Sequence, residues 1–126
     1  MTPIALLGYA QRLLDDLGEH TSGNSSRLAA LLARQALEVA IDLRCAELGA
    51  ECPRSTMRSR LVILRGLGRD AAVADRCTSL WHQLSAACHQ HAYQLAPTAG
   101  EVRSLCAGVA VAIGILNSEG IASAEG

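Results

Sequence analysis

The chain has 126 residues and contains no lysine, no phenylalanine, one tryptophan and two tyrosines. Without lysine, Schiff-base chemistry and the phosphate-gripping lysine of a P-loop are both excluded. With so few aromatic rings, the stacking platforms used to hold single-stranded nucleic acid are nearly missing. The shortage of aromatic and β-branched residues also argues against a β-sandwich or barrel. No G-x-S-x-G turn, glycine-rich phosphate loop or C-x-x-C pair is present, which removes the commonest serine-hydrolase, nucleotide-binding and dithiol chemistries. Neither sign of charge dominates: 11 basic residues, all arginine, face 12 acidic ones for a net charge of −1. Whole-molecule steering toward nucleic acid is therefore weak.

What is abundant is alanine and leucine, which lose little entropy on entering a helix and read as an all-α chain. The arginine-for-lysine and alanine bias matches the coding bias of a GC-rich bacterial genome. The length suits one domain with a real core, divided as an N-terminal helix and loop over 1–24, a core over 25–118 and a flexible tail over 119–126. Five cysteines form an odd set with no framework spacing, and three fall on apolar helical positions, where a thiol acts as a small hydrophobe. A reducing cytoplasm is the expected compartment. No basic region followed by an apolar stretch and a cleavage site is seen at the start. The most apolar run, Leu105 to Leu116, is about a dozen residues against the roughly twenty that span a bilayer, so it reads as a core helix with no membrane role.

Helix boundaries are well marked. Thr2-Pro3 supplies an N-cap and a first-turn proline; Ile4, Leu7, Leu14 and Leu17 then share a face, with Gly18 as the stop. After a loop over 21–26, a second helix is predicted from Arg27 to Leu48, stopped by Gly49. Cys52-Pro53 breaks the chain, and Ser55 or Thr56 caps a third segment that ends at Gly66-Leu67-Gly68. Within it Leu61-Val62-Ile63-Leu64 suits strand or buried helix, and helix is preferred because no partner strand exists. A fourth helix is predicted from Asp70 to Leu95, ended by Pro97. Thr98-x-x-Glu101 has capping-box spacing and starts a fifth helix that runs to Asn117. The result is an antiparallel bundle of four to five helices.

On the fourth helix Val73, Cys77, Trp81, Leu84, Cys88, His91 and Leu95 alternate by four and three, as in a core seam. On the second, Leu28, Leu31, Leu32 and Val39 mark one face while Leu37, Ile41 and Leu48 mark the opposite one. A helix apolar on both sides needs two covers, and a second subunit is the expected one, making a homodimer.

Polar groups are few and local. His82 and His89 lie about 20° apart around the helix axis and two turns apart, while His91 points into the seam beside Cys88. None of these pairs has the i, i+4 spacing of a helical zinc site, so no metal ligand and no cofactor is assigned; a bundle metal site at Cys88 and His91 would need two further ligands. Gln35, Glu38 and Asp42 border an apolar face of the second helix, and a carboxylate there should meet arginine or histidine from a facing helix. Arg54, Arg58, Arg60, Arg65 and Arg69 fall within sixteen residues and form either a solvated helix face or a phosphate-binding rim.

The helix around Ala33-Arg34-Gln35-Ala36-Leu37-Glu38-Val39-Ala40-Ile41, followed by a long helix with an arginine, a spaced histidine and a histidine-rich end, resembles the HEPN superfamily. Its members are all-α bundles, commonly dimeric, and many are metal-independent RNases of toxin–antitoxin, defence and RNA-processing systems. Its Arg-x(4–6)-His signature is matched by Arg76 and His82. The resemblance implies an endoribonuclease or a catalytically inactive RNA-binding relative, paired with a nucleotidyltransferase-like antitoxin. Cys77 stands where the family often has asparagine after the arginine, and Leu84-Ser85 replaces an Arg-Asn pair before His89. In such an enzyme Arg76 would clamp phosphate, His82 would move the proton, His89 would be the alternative base, and Glu38, Asp42 and Gln35 would support them. Arg54, Arg58, Arg60 and Arg65 would track the RNA backbone. The competing expectation is a non-enzymatic helical module for protein–protein interaction or dimerisation. The two part on whether Arg76 and the histidines share one groove.

Overall fold

In the computed structural model the residues described are 1–17, 23–50, 55–89 and 96–125. They form five α-helices and no strand: α1 (Pro3–Leu17), α2 (Gly23–Glu47), α3 (Met57–Leu67), α4 (Ala71–Cys88) and α5 (Ala99–Glu125). The expected all-α bundle is present. His20, Cys52, Pro53, Arg54, His91, Tyr93 and Leu95 lie outside the described residues, as does the Gly18 stop.

Local chemistry builds the starts. Thr2 Oγ1 accepts the Ala5 N–H at 3.1 Å, Thr56 Oγ1 accepts Ser59 N–H at 3.1 Å, and Asp70 Oδ1 accepts Ala72 N–H at 2.9 Å. The capping box before α5 closes both ways: Glu101 N–H donates to Thr98 Oγ1 at 3.1 Å and Thr98 N–H to Glu101 Oε2 at 3.3 Å. The end of α2 is a Schellman turn. Gly49 takes φ +81°, Ala50 N–H donates to Cys45 O and Gly49 N–H to Ala46 O. Only glycine adopts that backbone without strain.

α2 is the central rod and packs against α1, α3, α4 and α5. Its buried stripe is Ala29, Ala30, Ala33, Ala36, Leu37, Ala40 and Ile41. Alanines at so many contact points let neighbouring helices approach closely, at about 8 Å rather than 10 Å between axes. α4 adds Val73, Ala74, Cys77, Leu80 and Leu84, and α5 adds Val102, Cys106, Val109, Ala112, Ile113 and Leu116. At Gly108 a Cβ would come within 2.8 Å of Leu80 Cδ2, so glycine permits the close α4–α5 contact.

Several expectations change. Ile4 is 66% exposed, and Ala10 joins Leu7 and Leu14 on the inner face of α1 instead. α2 begins at Gly23, four residues before the predicted start. Of the two apolar flanks of α2, Leu37 and Ile41 face the core, whereas Leu28 and Leu31 on the other flank stay 48% and 38% exposed. The seam on α4 is buried at Val73, Cys77 and Leu84, but Trp81 and Cys88 are only half-buried. α4 stops at Cys88, where His89 turns extended with φ −69° and ψ 133°; no glycine or proline marks this point.

The predicted flexible tail is instead helix, since α5 continues from Asn117 to Glu125. A lone glycine at position 120 costs a helix only about 1 kcal/mol. Glu119 also gains a charge contact, lying 3.6 Å from Arg44 Nε. The longer α5 also revises the membrane argument: Ala99–Gly120, 22 residues, is long and apolar enough to cross a bilayer, with 33% of its apolar window buried in the molecule.

Candidate functional site

The polar residues of α2 meet partners across two helix interfaces. Glu38 Oε1 accepts Arg34 Nε–H at 2.7 Å from its own helix and the Trp81 indole N–H at 3.4 Å from α4. The Arg34 guanidinium also lies over the Trp81 ring, 5.5 Å from its centroid, a cation–π contact. Burial pushes the Cys88 thiol up, with Arg34 beside it opposing that shift. One turn further along α2, Asp42 Oδ1 lies 2.8 Å from Arg60 Nη1 of α3. Arg60 is held in turn by donating to Ser55 Oγ at 3.1 Å. Desolvation raises the Asp42 carboxyl above its ordinary value; Arg60 counters this and Glu38 adds to it. Asp42 thus meets arginine from a facing helix, as expected, whereas Glu38 finds its arginine on α2 itself.

This seam reads Arg34, Glu38, Asp42, Arg60: two cations enclosing two carboxylates. Its charges are satisfied internally, which is the arrangement of an interhelical lock. Gln35, one position off the seam, is exposed.

The residues assigned to phosphate chemistry do not converge. Arg76 is exposed and borders a groove between α4 and α5 with Ser79, Leu80, Gln83, Ala107, Gly108 and Val111. His82 is exposed elsewhere on α4, its ring packed edge-on against Trp81 with centroids 5.2 Å apart. Regular helix explains the divergence: six residues separate the two by about 9 Å of rise and about 120° of rotation. His89 borders a third place, an open cavity of about 710 Å³ that also includes Gln83, Pro97, Thr98, Glu101 and Ser104. Thirteen residues of rise, about 20 Å, lie between Arg76 and His89.

The arginine rim is partly spoken for. Arg60 faces Asp42, and Arg65 Nε lies 2.9 Å from Asp75 Oδ1. Arg58 is exposed, and Arg54 lies outside the described residues. Among the described residues no three His, Cys, Asp or Glu side chains gather as a metal set; the Cys88–His91 alternative lies partly outside them.

Among the cations given no role from sequence, three have partners that bear on the fold. Arg34 had a readable signal, standing four residues before Glu38. Arg44 is the buried arginine of the core, its side chain 1% exposed, with Nη1 3.1 Å from Glu47 Oε2 and Nε 3.6 Å from Glu119 Oε2. Its position between Ile41 and Leu48 on an apolar face is the clue to its burial. Arg103 Nη2 donates to Leu14 O at 3.1 Å, supplying a donor to the last turn of α1.

Compared with known proteins, the chain matches no family model, no curated sequence and no solved structure. The HEPN resemblance accordingly stands on the two helical segments that suggested it.

Proposed function

We propose that this chain is a non-enzymatic helical interaction module. The observation that carries this reading is the separation of Arg76, His82 and His89 into three different surroundings on and beyond one regular helix. Cleavage of RNA by 2′-hydroxyl attack needs a base, an acid and a cation around a single phosphate. Rise and rotation keep these groups of one chain apart. The pairing of Glu38, Asp42, Arg60 and Arg65 with protein partners supports the same reading: Asp42–Arg60 joins α2 to α3, Arg65–Asp75 links α3 to α4 at the surface, and Glu38 takes Arg34 of its own helix and the Trp81 indole of α4. The nucleotidyltransferase-like antitoxin belongs with the nuclease alternative.

The test is incubation of total RNA with the wild type, Arg76→Ala, His82→Ala and His89→Ala. Intact RNA in all four is the expected result. Cleavage by the wild type that disappears in Arg76→Ala or His82→Ala would overturn the interaction reading and restore a HEPN-type RNase.

A further inference from the structure

We draw no further inference here: the strongest candidate, the exposed apolar stripe of α2 that carries Leu28, Leu31 and Leu43, points to no occupant, because nothing in the structure shows what covers it.

Discussion

Replacing Glu119 by alanine tests whether the C-terminal third of α5 is held by a buried charge. Arg44 is enclosed, its side chain 1% exposed, between Glu119, which is 12% exposed, and Glu47, which is 53% exposed. Removing one partner of a buried ion pair typically costs about 3–5 kcal/mol, because the charge left behind stays desolvated. Glu47 remains to Arg44, which reduces the expected loss to about 2 kcal/mol, or on the order of 10 °C in Tm for a domain of this size. Thermal melts followed at the helical band give the shift, and amide hydrogen exchange locates it in the turns of α5 beyond Asn117. Arg44→Met provides the counter-test. It removes the charge together with its need for partners, and the methionine stem fills the same apolar surroundings, so it should cost less than Glu119→Ala. A shift below about 2 °C in Glu119→Ala, or unchanged exchange beyond Asn117, would refute the reasoning.

Two further outcomes follow from the titrating groups. The Asp42 carboxyl is held above its ordinary value of 3.8, chiefly by desolvation, so between that value and its higher folded value the folded chain keeps a proton that the unfolded chain releases. Its share of stability is therefore present at low pH and declines as pH rises through this window. The difference in Tm between the wild type and Asp42→Asn, followed through the acidic range, should move against the wild type with rising pH, and a constant or opposite difference would disprove it. Burial pushes the Cys77 and Cys106 thiols up to about 11, whereas Cys88 is half-buried beside Arg34. Timed iodoacetamide labelling of the native chain at mildly alkaline pH, read by mass spectrometry, should modify Cys88 well before Cys77 and Cys106. Equal rates would mean that these thiols are not shielded as described.

Much of the architecture was legible because its signals act over three or four residues. Thr2, Thr56, Asp70 and the Thr98–Glu101 box are capping chemistry, and Gly49 is a left-handed stop. The 3.6-residue period placed Val73, Cys77 and Leu84 in the core. The site was far less legible. Spacing allowed Arg76 and His82 to be paired on paper, yet a regular helix sends them in different directions, and only the neighbours of α4 show where each ends up. Asp42 was expected to find an arginine, but α3 had to fold against α2 before Arg60 could be identified as that partner.

By itself, then, the chain determines that it is helical, where most helices start, and which side of α4 faces inward, since each of these depends on contacts within a turn. Tertiary structure alone decided that α2 packs against four helices of its own chain, that Arg44 lies buried between Glu47 and Glu119, and that α5 runs on past Asn117. Those outcomes depend on which surfaces meet across long sequence separations. The desolvation and pairing that settle them arise only when the helices are assembled.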